Sequence, residues 1–185
     1  MAGKTSLLYI EMFTVKQHSS HADHLMRATQ FHHVQLSSMA DVKANMLLTM
    51  SSVILTLCLP QVLKNDHLWP LYILICFCLL TICLATYAVM PKLPPANLPP
   101  PDIHSPHFNL LFFGDFSRLT QPQFESAMEE LMNDHSRAYG AQVRELYLLG
   151  TFLAKKKYRY LRLGYLSFIA GLLASFVAFI ICALI

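Results

Sequence analysis

Basic side chains that accompany aromatic rings are the residues of this sequence best suited to chemistry. Guanidinium and ammonium groups bind phosphate oxygens through charge-assisted hydrogen bonds, and a Phe or Tyr ring can stack on a nucleobase. The basic candidates are Arg118, Arg137, Arg144, Lys157 and Arg159. Together with nearby aromatic residues they form a candidate site for a phosphate-bearing ligand.

The aromatic partners lie in the stretch FNLLFFGDFSRLT, where Phe108, Phe112 and Phe116 fall four residues apart. On a helix this spacing forms one apolar face, which would dock on a membrane-proximal bundle. Spacing alone favours this interpretation over stacking on a base.

No pattern of catalytic residues accompanies these side chains. The sequence contains no paired carboxylates, no Ser-His-Asp arrangement and no phosphate-binding loop, and its glycines are scattered. We therefore predict a protein that is not an enzyme and that needs no cofactor. We also expect no nucleic-acid partner.

Histidines near the N-terminus are the candidate metal ligands. His18, His21 and His24 are spaced three apart, and His32 and His33 follow. Zinc accepts imidazole ligands, but no cysteine lies nearby and this region holds only two carboxylates. The main prediction is therefore no metal site, with a histidine-rich metal sensor or transporter as an alternative.

The composition indicates a membrane protein. Of the 185 residues, 55% are hydrophobic and 14% are charged, which is too apolar for a soluble domain. Three windows without charged residues, 44–63, 67–91 and 163–185, can each cross about 30 Å of hydrocarbon as a helix. The sequence therefore predicts an all-α membrane protein with three transmembrane helices and a membrane-proximal cytoplasmic helical region.

The Lys and Arg residues near the ends of these windows predict the topology. Lys64 is the only one between the first two spans, whereas the other thirteen precede span one or lie between spans two and three. By the positive-inside rule the N-terminus is cytoplasmic. The predicted order is a cytoplasmic N-terminal helix (1–43), transmembrane helix 1 (44–63), a short periplasmic turn (64–68), transmembrane helix 2 (69–90), a proline-rich cytoplasmic strap (91–107), a cytoplasmic helical region (108–162) and transmembrane helix 3 (163–185).

Two long helices should position the candidate residues. Almost nothing breaks a helix before Pro60, so one helix is expected to run into span one; a break at Ser37 and Ser38 is the alternative. Thr120 and Gln123 have the spacing of a capping box, which predicts a helix start near Thr120. Apolar positions then recur at spacings of three and four to residue 153, which predicts a single helix with its two glycines as weak points.

Two of the spans carry a patterned face. Span one has a polar stripe, Asn45, Thr49, Ser52 and Thr56. The stripe either makes interhelical hydrogen bonds or lines water once several subunits assemble. Span three has a small-residue seam, Gly164, Ser167, Gly171, Ala174, Ala178 and Cys182. Small side chains let backbones approach closely, so the seam faces either another span of the same chain or a neighbouring subunit.

Charged residues mark the membrane edges of spans one and three. Asp41 and Lys43 either simply end span one, where a charge stays hydrated, or couple sensing helices to it, with Asp41 paired to Arg159 or Arg162. A basic collar precedes span three and comprises Lys155, Lys156, Lys157, Arg159 and Arg162. With its interleaved tyrosines, the collar is typical of a topology anchor that touches anionic lipid.

Three separated blocks of the sequence resemble a known family. They are ADVKA at residues 40–44, NLLFFGDFSRLT at residues 109–120 and ELYLLGTFLAKKKYRYLRLGYLSFIAG at residues 145–171. In this order they resemble the transmembrane effectors of Pycsar, a bacterial antiphage system built around a pyrimidine cyclase. The likeness covers the chain from Ala40 to the C-terminus.

The resemblance implies a non-enzymatic, multi-pass effector of the bacterial inner membrane. In that family, infection triggers a separate cyclase to make cyclic UMP or cyclic CMP. The effector responds, and membrane integrity fails before phage mature. We therefore expect cyclic UMP or cyclic CMP as the ligand, and a pyrimidine nucleotide cyclase as a partner through its product. We further expect a homo-oligomer in the lipid bilayer. The alternative is a membrane scaffolding or interaction protein without a nucleotide ligand.

Overall fold

The computed structural model describes residues 19–64, 68–91, 102–103, 105 and 108–184. The first eighteen residues, most of the predicted periplasmic turn and most of the proline-rich strap lie outside the described residues. Of the described residues 89% are helical, and none lies in a strand. The elements are α1 (Ser20–Lys64), α2 (Trp69–Val89), α3 (Phe113–Phe116), α4 (Gln121–Asn133), α5 (His135–Phe152), a π-helical turn (Leu153–Tyr158) and α6 (Arg159–Leu184).

Three helical stretches are long and apolar enough to cross a membrane: Ser20–Lys64, Trp69–Val89 and His135–Leu184. The predicted all-α fold with three transmembrane helices is therefore confirmed. About 20 residues suffice to cross the hydrocarbon, so the first and third stretches are longer than a span requires. Their apolar windows, 44–63 and 163–185, are the parts suited to lipid.

The chain divides into two compact units. The polar unit comprises residues 1–33 and 91–150. The membrane unit comprises residues 34–90 and 151–185 and contains the three predicted spans.

In the membrane unit, α2 and α6 pack along the small-residue seam. A Cβ added at Gly171 would lie 2.4 Å from the Phe77 Cβ, so glycine permits this approach. Ser167 Oγ donates to the Phe77 carbonyl oxygen at 3.5 Å, and Ser175 Oγ donates to the Pro70 carbonyl oxygen at 3.0 Å. Of the two alternatives left by the sequence, the seam therefore faces another span of the same chain.

The part of α1 that belongs to the membrane unit joins this pair through small and aliphatic side chains. The buried cluster comprises Ala40, Ala44, Leu47, Ala85, Leu161 and Phe168. Alanines four residues apart on α1 lie on one face and allow close backbone approach. One side of α1 is thereby buried against its neighbours, and the other side stays exposed.

α1 runs without interruption from Ser20 to Lys64, so the predicted continuous helix is confirmed over the described residues. Ser19 caps its start, because the Ser19 Oγ accepts a hydrogen bond from the Ala22 backbone N at 3.2 Å. The alternative break in the middle of α1 is wrong. Asp41 follows Ser38 by three residues, a spacing that can also cap a new helix, but its carboxylate binds Lys157 instead.

The capping box is confirmed at the start of α4, where the Thr120 backbone N donates to Gln123 Oε1 at 3.0 Å. The predicted single helix is wrong, since α4 ends just before Asp134. The Asp134 side chain then caps α5 by accepting hydrogen bonds from the backbone N of Ser136 and of Arg137, at 2.9 and 3.2 Å. The interruption is therefore a helix cap and falls at neither glycine.

Candidate functional site

The π-helical turn before α6 divides the basic collar into two sets. Such a turn closes over five residues instead of four, so side chains change face relative to an α-helix. Lys156 and Lys157 are each only 8% exposed. Lys155, Arg159 and Arg162 are exposed. The collar therefore has two inward lysines and three outward cations.

Lys157 binds the carboxylate of Asp41 on α1. Its Nζ lies 2.6 and 2.8 Å from the two carboxylate oxygens and 2.8 Å from Ser37 Oγ. Each ammonium proton can therefore meet an acceptor, which offsets the cost of burying the charge. The predicted pairing of Asp41 with Arg159 or Arg162 is wrong, because both arginines lie on the exposed face of α6.

The two residues predicted to couple sensing helices to span one have different surroundings. Asp41 joins α1 to the π-helical turn within the membrane unit. Lys43 is exposed and forms no ion pair in the part of the chain that the structure describes. A mechanical role is therefore supported by contacts for Asp41 alone.

Lys156 is buried against aromatic rings. Its Nζ lies 5.1 Å from the centroid of the Tyr87 ring and 5.6 Å from that of Phe152. Ammonium groups at this distance are attracted to the negative face of a ring. Tyr87 also packs edge-on against Tyr160, with centroids 4.6 Å apart. Lys156 of the collar and these aromatic rings thus stabilise one another where α6 begins.

The polar stripe of span one lies on the exposed side of α1. All four of its side chains are exposed. The Thr49 hydroxyl donates to the Asn45 carbonyl oxygen, and the Thr56 hydroxyl donates to the Ser52 carbonyl oxygen, both at 2.9 Å. These bonds stay within α1, so the stripe has no interhelical hydrogen bond among the described helices.

A buried asparagine organises the NLLFFGDF segment of the polar unit. Asn109 is 4% exposed. Its backbone N donates to Asp115 Oδ2 at 3.0 Å, and its Oδ1 accepts from the Leu111 backbone N at 3.1 Å. Its Nδ2 donates to the Glu145 carboxylate of α5. The Asn109 side chain therefore stabilises the fold of the segment and also attaches the segment to α5.

These hydrogen bonds keep most of the segment out of a helix, because Asn and Asp side chains offer the backbone alternative partners. Only four residues are helical, so the prediction that Phe108, Phe112 and Phe116 share one helical face is wrong. Phe108 is buried, and Phe116 packs on Phe124 with ring centroids 5.0 Å apart. Phe112 and Phe113 remain exposed beside each other.

Two of the three basic candidates of the polar unit, Arg137 and Arg144, are residues of α5. Arg144 lies near Asp115; burial lowers the pKa of Arg144, and the Asp115 carboxylate opposes this shift. The Arg118 backbone N donates to the Asp115 carbonyl oxygen at 3.3 Å. Arg137 lies two helical turns before Arg144 and forms an ion pair with Glu130. Of these three arginines, Arg144 is thus the one whose guanidinium lies near the Asp115 carboxylate.

The five basic residues predicted to bind a phosphate do not form one set. Arg118, Arg137 and Arg144 belong to the polar unit, and Lys157 and Arg159 belong to the membrane unit. Within the polar unit, Arg144 lies near the Asp115 carboxylate, and the Arg118 backbone N donates to the Asp115 carbonyl oxygen. Within the membrane unit, the lysine already holds a carboxylate and the arginine faces outward.

Sequence reasoning missed Tyr139, a buried residue of α5. Its hydroxyl donates a hydrogen bond to the Asp23 carboxylate of α1 within the polar unit. This hydrogen bond raises the pKa of Tyr139, and burial and the charge of the carboxylate raise it further. The two residues are 116 positions apart, so no local pattern could have identified the pair.

The histidines of α1 show no shared geometry. His21 and His24 are exposed, and His18 lies outside the described residues. Among the residues that the structure describes, no group of three or more His, Cys, Asp or Glu could hold a metal ion. His33 packs against Gly150, where an added Cβ would lie 3.2 Å from His33 Cε1. His33 thus contributes to packing within the polar unit.

Replacing Asn109 by Ala should lower the unfolding temperature of the detergent-solubilised protein. The change removes partners from the Leu111 amide and the Glu145 carboxylate, and an unsatisfied buried polar group costs about 1–3 kcal/mol. Thermal unfolding monitored by far-UV circular dichroism measures the effect. Asn133→Ala, at an exposed position on α4, is the matched control and should be neutral. Equal unfolding temperatures for the two variants would contradict this role of Asn109.

The family model of the Pycsar effector protein domain matches residues 24–184 of this chain. No curated protein and no solved structure matches the chain significantly. The matched range contains the three sequence blocks, the Asn109 cluster, the Asp41–Lys157 pair and the three apolar helices. Because the match covers well over half of the chain, this protein belongs to the Pycsar effector protein domain family.

Proposed function

We propose that this protein is an antiphage defence effector of the bacterial inner membrane, activated by cyclic UMP or cyclic CMP from a partner cyclase. The observation that carries the proposal is the match of the Pycsar effector protein domain over residues 24–184. The three apolar helices support action in a membrane. Once active, the protein impairs membrane integrity, and the infected cell dies in an abortive infection.

We assign the phosphate of the nucleotide to Arg118 and Arg144. Arg144 lies near the Asp115 carboxylate, and Arg118 follows Asp115 by three residues and bonds it through the backbone. An arginine can bind phosphate oxygens through two parallel hydrogen bonds. Partial burial of Arg144 supports this role, because charge interactions strengthen where water is excluded. Phe113, two residues before Asp115, is 57% exposed and can stack on a pyrimidine ring. Arg137 would join the site only by leaving Glu130.

Lys157 of the membrane unit has a different role from the arginines of the polar unit. Lys157 is bound to Asp41, so a nucleotide could bind it only after that ion pair breaks. We therefore assign Lys157 and Asp41 to the positioning of α1 against α6 rather than to direct ligand binding. Lys43 remains at the surface as a membrane-edge charge.

Charge distribution supports a cytoplasmic location for the polar unit and the N-terminus. Lys64 is the only Lys or Arg between spans one and two, and the other thirteen precede span one or lie between spans two and three. A cytoplasmic polar unit would meet a nucleotide made inside the cell. Three spans would then leave the C-terminus outside.

The polar stripe supports action as a homo-oligomer. Hydroxyl and carboxamide groups on a spanning helix are favourable where they meet polar groups or water instead of lipid. The stripe is exposed on the single chain, so copies that associate along it would remove it from lipid and form a polar path. The small-residue seam is not available for this contact, because α2 already packs on it.

Activation requires a ligand that distinguishes two states of the protein. A shift from 1% to 99% active molecules needs about 5.5 kcal/mol of differential affinity. One phosphate bound by two arginines, a stacked base and the sharing of ligands between subunits could together supply this. A nucleotide bound equally well by both states would not activate the protein.

Vesicles that contain the purified protein and a trapped dye should leak only after addition of cyclic UMP or cyclic CMP. Cyclic AMP serves as the control nucleotide. Arg144→Gln should raise the nucleotide concentration for half-maximal leakage by about tenfold, because it removes a hydrogen bond to a charged group. Arg27→Gln, which removes an exposed charge of α1, is the matched control.

Two results would count against the proposal. Leakage that is the same with and without cyclic UMP or cyclic CMP would show that neither nucleotide activates the protein. Absence of leakage with either nucleotide would instead favour a membrane scaffolding protein that recruits a partner. In both cases flotation of the vesicles shows whether the protein was inserted.

A further inference from the structure

The three outward cations of the collar line a surface groove in the membrane unit. The groove measures about 550 Å³ and is lined by Ala154, Lys155, Tyr158, Arg159 and Arg162. None of the described residues that line it is a carboxylate. Its three cations have no ion pair or hydrogen bond with any described residue. This basic groove therefore presents three uncompensated positive charges, in contrast to the two inward lysines beside it.

We propose that the basic groove binds the phosphate of an anionic phospholipid. Arg162 immediately precedes the apolar window 163–185, which places the cations at the depth of the headgroups. A cation near such a surface attracts anionic lipid by about 1 kcal/mol. Charge complementarity and depth thus point to the same occupant.

The walls of the groove suit a lipid better than a nucleotide. The Tyr158 hydroxyl donates to the Leu36 carbonyl oxygen at 3.1 Å, and the Tyr158 ring is half-buried and fixed as a wall. The groove therefore lacks a freely exposed ring on which a base could stack. Leu163 and Leu166, which follow the cations along α6, are 41% and 53% exposed and can contact acyl chains.

The test uses the full-length protein in neutral detergent and native mass spectrometry to titrate phosphatidylglycerol. The triple variant Lys155→Gln/Arg159→Gln/Arg162→Gln should bind this lipid about 100-fold more weakly, since each charge contributes about fivefold. Phosphatidylcholine should bind weakly to both proteins. The variant Arg159→Lys/Arg162→Lys keeps the charge and should retain most of the affinity.

A second triple variant controls for net charge. Lys4→Gln/Lys16→Gln/Arg27→Gln removes the same charge at sequence positions well before span one and should bind phosphatidylglycerol like the unmodified protein. Circular dichroism and gel filtration verify folding. If the groove variant does not fold, Arg159→Gln alone should still lose about fivefold.

Two outcomes would overturn the proposal. The first is unchanged affinity for phosphatidylglycerol in the groove variants. The second is binding of cyclic UMP, measured by calorimetry in lipid-free neutral detergent, that the groove variant abolishes and the charge control does not. That second result would assign the groove to a free phosphate ligand.

Discussion

Asp41→Ala is expected to abolish cell killing while the protein still inserts into the membrane. The substitution leaves the Lys157 ammonium, whose side chain is 10% exposed, without its carboxylate partner. Breaking a fully buried ion pair costs about 3–5 kcal/mol, and we expect about 2 kcal/mol here because Asp41 is 44% exposed. The weakened contact between α1 and the π-helical turn should prevent spans one and three from moving as a pair.

Killing can be measured by plating cells that also express a pyrimidine cyclase, and insertion can be measured by membrane fractionation. Lys43→Ala is the matched control, because it removes an exposed charge two residues away. The reversed pair Asp41→Lys/Lys157→Asp should recover part of the activity, as double substitutions reveal direct coupling. A variant at Asp41 that fails to insert would instead support the simpler view that the charge only ends span one.

Gly171→Val should destabilise the membrane unit more than any other single substitution in the seam. The new Cβ would lie 2.4 Å from the Phe77 Cβ, which is too close for a small side-chain adjustment. Overpacking of this kind typically costs about 1–3 kcal/mol, and the added methyl groups place it near the upper end. Thermal unfolding in detergent should show a clear decrease in the midpoint, and vesicle leakage should be lost.

The neighbouring Ala170 provides the control for Gly171. Ala170→Val adds bulk of the same shape on the exposed side of α6 and should be nearly neutral. Gly171→Val should cost much less stability in a Phe77→Gly background, because that change removes the clashing Cβ. Equal effects of the two valine substitutions would show that α2 and α6 do not depend on this close approach.

The sequence alone was sufficient to predict the fold class and several local structural features. Charge-free windows predict spans because a bilayer demands uninterrupted apolar length, a one-dimensional property. The capping box at Thr120 is equally local, since it needs only two side chains three residues apart. The Asp134 cap was also readable, but its signal lies within an otherwise continuous apolar periodicity that favours a single helix.

The candidate site was less predictable, because its contacts join distant residues. Asp41 was expected to bind an arginine of the collar, but the π-helical turn brings Lys157 to it instead. Helical periodicity assumes a rotation of about 100° per residue, and a π-helical turn rotates less per residue. No residue composition in this stretch predicts such a turn. The same holds for Asn109, whose role depends on Asp115 and on Glu145 of a separate helix.

The π-helical turn contains one residue more than an α-helical turn, and this residue sets the rotation of α6 about its axis. If it converted to ordinary α geometry, every residue of α6 beyond it would turn by about 100° and shift by about 1.5 Å along the axis. Such a step would carry Gly171 away from Phe77 and present a different set of side chains to α2. The third span would thus change the residues that it packs against α2 in one defined step, without unfolding.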